Sequence, residues 1–214
     1  MGATGLVGSH TLALALADPR VASVVALARV SRIALPAHPK LTTVVVDFDR
    51  LDPHAAWWQA DAVICTLGTT MRAAGSQDAF RGVDHGYPLA VARLAHAHGT
   101  PAFVLNSAAG ADTGARFFYH RVKGEIERDL AAQSFASLTF VRPGLIGGKR
   151  AGFRFGERVL EAVLTVAGPL LPARWRVNPA PRIARALLGA AIDAQPGCHV
   201  IPAQDLIGVS PKAA

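Results

Sequence analysis

Gly2-Ala3-Thr4-Gly5-Leu6-Val7-Gly8 opens the chain with three glycines spaced by three, and its reading decides the fold. Such spacing lets a backbone approach a phosphate. The first glycine makes the tight turn, the second leaves no side chain between loop and anion, and the third lets the following helix pack closely. Ser9 to Ala17 is expected to form that helix, aiming its N-terminal amides and the positive end of its dipole at the anion. On this reading Gly2, Thr4, Gly5, Leu6, Val7 and Gly8 line a phosphate-binding loop. Such a loop ordinarily follows a buried strand, whereas here only Met1 precedes Gly2. The first strand of the sheet is therefore expected to be missing from this chain, with several apolar residues upstream in the native protein. Its loss leaves the edges of two neighbouring strands unpaired.

Downstream, short β-branched runs alternate with helical stretches. Thr11 to Ala17 has a period of two that would suit a strand, but leucine and alanine are strong helix formers and Asp18-Pro19 closes the segment. Strands are expected at Ser23–Leu27, Leu41–Val46, Ala62–Thr66, Ala102–Asn106 and Ser137–Val141, with a last one at His199–Ile201. Helices are expected at Asp78–His98, Arg116–Leu130, Glu157–Val166 and Arg182–Ile192. In the second of these, Arg121, Glu125 and Asp129 follow one another four apart, the spacing of intrahelical neighbours. This alternation predicts an α/β chain with a doubly wound, mostly parallel sheet of Rossmann type. The chain reads as a single domain over residues 1–214, with 145–185, rich in glycine and proline, as a small substrate-side segment. Trp57 and Trp58 read as packing residues, and His96 and His98, two apart on a helix, diverge too far to form a metal site.

Composition narrows the function classes. At 51% hydrophobic and 17% charged, the chain is too apolar for a disordered protein. The longest apolar run, Val159 to Leu171, is short and interrupted by Glu161, Gly168 and Pro169, so no membrane span is expected. Two cysteines, Cys65 and Cys198, fit a reducing compartment, and a cytoplasmic location is expected. The net charge of +7 comes mostly from arginines crowded into the last third. Aromatics are sparse there and no nucleic-acid motif accompanies them, so an anion site or a solvated face is favoured over nucleic-acid binding.

The residues after the glycine loop indicate which dinucleotide is held. An NAD-preferring fold places an acid about twenty residues beyond the loop, on the ribose 2′-hydroxyl. Between Asp18 and Asp47 there is no acid, while Arg29 and Arg32 are present to receive a 2′-phosphate, so NADP(H) is expected over NAD(H). Asp47 follows a strand where such folds meet the adenine, and Leu67-Gly68-Thr69 follows another at the carboxyl edge, where ligands bind. Ser107 stands at a strand end, and Tyr119 and Lys123 project one turn apart from the next helix. Reducing a carbonyl requires a proton for the alkoxide. A tyrosine supplies it only if its pKa of about 10 is brought toward about 7, roughly 4 kcal/mol of differential interaction, which a neighbouring lysine and a nicotinium charge can share.

Gly2 to Gly8, Cys65-Thr66-Leu67-Gly68-Thr69-Thr70, Ser107-Ala108-Ala109-Gly110-Ala111, Tyr119 to Glu127 and Arg142-Pro143-Gly144 together resemble the extended and atypical branch of the short-chain dehydrogenase/reductase superfamily. Within it they look most like the Tat-interacting-protein-like oxidoreductases, over about residues 2–148. The resemblance implies a Rossmann fold, NADP(H) binding and a catalytic triad of Ser107, Tyr119 and Lys123. It implies that Ser107 orients the substrate oxygen, that Lys123 also bonds the nicotinamide ribose, that Gly68 and Thr69 line the cofactor channel, and that Pro143 and Gly144 approach the nicotinamide. Pairing of the helices at 78–98 and around Tyr119 with a second copy, a homodimer, is implied in the same way. Asp84 stands where many extended members carry a structural asparagine. The expected function is hydride transfer between NADP(H) and a small carbonyl or alcohol substrate. The alternative is an NADPH-binding redox sensor without appreciable turnover.

Overall fold

β-branched runs alternating with alanine- and leucine-rich stretches build a parallel sheet between two helical layers. The computed structural model describes residues 1–29, 35–147 and 177–207. In chain order these form α1 (Leu6–Ala17), β1 (Val24–Ala28), β2 (Leu41–Val45), β3 (Ala62–Cys65), α2 (Met71–Ala74), α3 (Gln77–Arg81), a π-helical turn (Gly82–Gly86) and α4 (Tyr87–Ala97). Then come β4 (Ala102–Asn106), α5 (Phe118–Ala131), β5 (Ser137–Arg142), β6 (Leu145–Gly147), β7 (Val177–Pro179), α6 (Ala180–Asp193) and β8 (Gly197–Pro202). The expected helix at Glu157–Val166, most of the 145–185 segment and Arg32 lie outside the described residues. Among the described residues every strand pair is parallel, where the sequence predicts a mostly parallel sheet.

Alternation along the central strands sorts the core into two faces. Phe103 and Leu105 of β4 join Leu89 and Ala92 of α4 and Ile126 and Leu130 of α5. Val104, between them, turns the other way to Val7 of α1 and Ile183 and Leu187 of α6. These apolar side chains are nearly all fully buried, each worth about 1.5–3 kcal/mol when removed from water. Trp58 belongs to a third cluster with Leu27, Phe48 and Val91, in the packing role expected of it.

Helix α1 starts at Leu6, three residues before the expected Ser9, so Gly8 lies inside its first turn. The stretch expected as one helix over 78–98 is α3, the π-helical turn and α4 in succession. Along α5 Asp129 pairs with Arg128, while Arg121 bonds the Ala115 and Arg116 carbonyls and leaves Glu125 to another element. Arg81 pairs with Glu125, and His85 adds a second partner to Asp129, both reaching across to α5.

Among the described residues the strands form a two-stranded sheet, β1-β2, a four-stranded sheet in the order β3-β4-β5-β8 and a second two-stranded sheet, β6-β7. Between β1 and β3 lies a cleft of about 780 Å³ lined by Val24–Leu27, Ala62–Ile64, Leu12, Trp58 and Val91. Met1 sits at its end as a strand residue would: its ammonium donates to Ile64 O at 2.9 Å and its carbonyl accepts from Thr66 N at 3.0 Å. Burial pulls that ammonium below the ordinary value for a chain terminus.

Candidate active site

Parallel pairing brings the carboxyl ends of each set of strands to a common edge, and the expected site residues follow those ends. Gly2 has a φ of +83°, and a Cβ there would come within 2.6 Å of the Thr66 carbonyl carbon. At Gly8 a Cβ would stand 2.0 Å from Gly2 O. The loop thus folds on itself so closely that only glycine fits at either place. Gly5, the residue before α1, brings no side chain to the helix start, which leaves the first amides of α1 open to an anion.

From the neighbouring loop, Thr69 N donates to Asp84 Oδ2 at 2.8 Å. The other oxygen of Asp84 takes the Lys123 ammonium at 2.8 Å, and both side chains are almost wholly buried. Burial is the largest influence on Lys123 and pulls its pKa down. The charges of Asp84 and Tyr119 and the bond to Asp84 outweigh it, so the lysine stands above its ordinary range. Tyr119, one turn earlier on α5, is 38% exposed and lies edge-on to Phe80 at 6.0 Å. Tyr119 and Lys123 are thus electrostatically coupled, with the phenol ring reaching solvent and the ammonium inside.

Ser107 is placed differently from Tyr119. It is buried, and its hydroxyl donates to Glu127 Oε1 at 2.5 Å. Glu127 is also held by the Arg142 guanidinium, whose pKa it raises. Backbone bonds from Ser107 N to Val141 O and from Ala109 N to Pro143 O, both 2.7 Å, bring the Pro143-Gly144 turn beside Ser107. Gly144 N donates to Asn178 Oδ1 at 2.6 Å, and the same amide donates to Ala203 O, so a fully buried asparagine locks the turn. Sequence reasoning missed Glu127 and Asn178. Glu127 had a signal, since 119, 123 and 127 make one stripe on α5. Asn178 had none, being 34 residues from the turn it holds.

Arg29 is exposed just past β1. Asp47, exposed after β2, accepts Asp49 N at 3.0 Å, and Asp49 accepts the Tyr87 hydroxyl at 3.1 Å. His98 bonds Leu94 O and His96 packs edge-on against Phe135.

The profile of a family described as NAD(P)H-binding matches residues 2–158. The chain belongs to that family. A relative, "Protein fmp52, mitochondrial" of Aspergillus fumigatus, is 37% identical over 211 residues, covering 92% of this chain and 87% of that protein. "Protein HTATIP2" of Rattus norvegicus is 42% identical over 122 residues, 56% of this chain and 50% of that one. Among solved structures, MoeE5 in complex with UDP-glucose and NAD superposes with a TM-score of 0.68 at 17% identity, over 93% of this chain and 73% of that chain. The PhqB reductase domain from Penicillium fellutanum gives 0.68 at 20% identity, over 94% and 65%. The NAD(P)H-binding match and these folds bear out the Rossmann architecture and the resemblance to the atypical, extended short-chain dehydrogenase/reductases.

The residues present fit such a dinucleotide. The glycine cradle leaves room for backbone approach to a pyrophosphate, and Asn106 Oδ1, at the end of β4, is buried with no hydrogen-bond partner among the described residues. It offers an acceptor at the same edge. The cytoplasmic expectation is overturned: relatives 32–37% identical over most of the chain are named as mitochondrial proteins. Cysteine count and charge describe the folded core, whereas targeting is read from address signals by receptors.

Proposed function

We propose that this NAD(P)H-binding protein is an NADP-dependent oxidoreductase acting on a small carbonyl or alcohol. The observation that carries the reading is the Tyr119–Lys123 pair on α5, with a buried lysine held charged beside a solvent-reaching phenol. NADP(H), when bound, supplies or accepts the hydride. Tyr119 Oη gives its proton to the substrate oxygen in reduction and takes it back in oxidation. Lys123 favours the phenolate and bonds the ribose. Ser107, whose O–H already donates to Glu127, orients the substrate with its lone pairs, accepting from an alcohol O–H. Gly2 to Gly8 hold the pyrophosphate, Asp47 the adenosine side, and Leu67 to Thr69 with Pro143-Gly144 the nicotinamide side. Tyr119→Phe is expected to lower carbonyl-dependent NADPH oxidation by about 10²–10⁴-fold with NADPH affinity nearly unchanged. Activity surviving in that variant would sink the role of Tyr119.

The NADP preference is supported by the exposed Arg29 and the absence of acids between Asp18 and Asp47. In a fluorescence titration NADPH is expected to bind at least about tenfold more tightly than NADH, and Arg29→Ala to remove most of that difference by weakening NADPH alone. Equal affinities in the wild type would refute the preference.

One observation favours a second reading, an NADPH-binding redox sensor without appreciable turnover. The Ser107 hydroxyl is committed to a buried carboxylate, so it has no proton to offer a carbonyl oxygen. A broad carbonyl panel with tight NADPH binding and no turnover would select the sensor.

A further inference from the structure

Asp84 is buried at the centre of the π-helical turn, and its two oxygens serve two different segments. Oδ1 takes the Lys123 ammonium and Oδ2 takes the backbone N–H of Thr69, each at 2.8 Å. The loop after β3, the π-helical turn and α5 therefore meet at one carboxylate. A π turn holds an extra residue in the helix and recurs at functional sites. Here it points Asp84 inward while Arg81 and His85, on either side, pair outward with Glu125 and Asp129.

We propose that Asp84 is a positioning residue, the counter-ion that holds the Lys123 ammonium charged in its dry site and ties it to the Thr69 loop. The proposal rests on the reading of Lys123 as the partner of Tyr119. A lysine buried without an anion gives up its proton readily, because desolvation penalises the charged form. The groups that face Lys123 are few. Asp84 comes from the π-helical turn, Tyr119 from its own helix, and Cys65 from β3, a thiol that burial pushes up and so keeps neutral. The Met1 ammonium acts on Cys65. Glu125, Glu127 and Asp129 are engaged by Arg81, Arg142 and His85. Among the described residues Asp84 is thus the carboxylate bonded to Lys123. An asparagine cannot replace it, because its single carbonyl oxygen can meet Thr69 N–H or the ammonium but not both, and its NH₂ then faces a donor.

Lys123, raised by its partner, keeps its charge as pH rises well into the alkaline range. Without Asp84 the charge goes at lower pH, so the defect grows with pH and is relieved by acid. The test is an NMR titration of the full chain with ¹³Cε-labelled lysine, Lys123 being assigned from Lys123→Arg. NADPH titrations near roughly pH 6 and pH 9 accompany it. Wild-type Lys123 is expected to titrate above an ordinary lysine, and Asp84→Asn to lower its midpoint by about three pH units or more, to below the higher of the two pH values. Asp84→Asn should also weaken NADPH binding at the higher pH far more than at the lower, and Asp84→Glu should restore both. An unchanged midpoint in Asp84→Asn, or NADPH binding weakened by one factor at both pH values, would overturn the proposal. If Asp84→Asn fails to fold, a wild-type midpoint at or below that of an ordinary lysine overturns it equally. The midpoint is read without substrate, so an absence of turnover would count against the proposed reaction and leave this result standing.

Discussion

Replacing Gly8 by alanine is expected to abolish NADPH binding and to destabilise the fold by about 3 kcal/mol. By helix propensity alone the change should help, since alanine is favoured over glycine within a helix by about 1 kcal/mol. Packing reverses the sign. The new Cβ would stand 2.0 Å from Gly2 O, 2.7 Å from Gly2 C and 2.6 Å from Thr66 Oγ1, and two of these are backbone atoms that cannot rotate away. Helix α1 must back off from the loop, and the amides of its first turn lose their aim at the anion. For a chain of this size the melting temperature should fall by about 6–12 °C. Thermal melts and an NADPH fluorescence titration of Gly8→Ala check this. Affinity within about twofold of wild type would show that the loop is not where the pyrophosphate sits.

The second large effect concerns the cleft between β1 and β3. Six β-branched apolar residues placed before Met1 are expected to raise the melting temperature by about 10 °C or more. They would continue the ladder that Met1 begins with Ile64 and Thr66, running parallel to β1 on one side and β3 on the other. Both faces of the inserted strand would be covered, by α1 near Leu12 and by Trp58 and Val91, so a continuous apolar run suits it better than an alternating one. Each ladder bond contributes about 1 kcal/mol net and apolar burial adds more, against about 1–2 kcal/mol per residue of ordering entropy. The extension also replaces a buried ammonium by an ordinary amide, which removes a desolvation penalty. An extension of equal length with alternating prolines cannot donate to the ladder and should give no rise. Protection of β1 and β3 amides against hydrogen exchange, seen with the first extension and not the second, would locate the effect. A rise with both would assign it to something other than strand insertion.

Much of this molecule is legible in its sequence. Among the glycines that mark the loop, Gly2 and Gly8 are irreplaceable because only glycine tolerates a φ of +83° or a backbone oxygen where Cβ would be. Strand β4 was predicted to the residue, and β1, β2, β3 and β5 within one, because a short apolar β-branched run bounded by turn residues has few alternatives. The Tyr119–Lys123 spacing could be read because neighbours one turn apart on a helix share a face whatever surrounds it.

What the sequence left open depends on approach between distant segments. That Lys123 would bond Asp84, that Glu125 and Asp129 would take Arg81 and His85 as partners, and that Ser107 would donate its hydrogen bond to Glu127 were all decided by packing. These partners lie 20 to 44 residues apart, and the extra residue of the π turn changes which of its side chains points inward. Local pattern sets an element's type and its buried face, since both follow from periodicity along the chain. Which charge meets which is set only when the elements dock, since a buried ion or hydroxyl must be satisfied by whatever polar group the neighbouring element delivers.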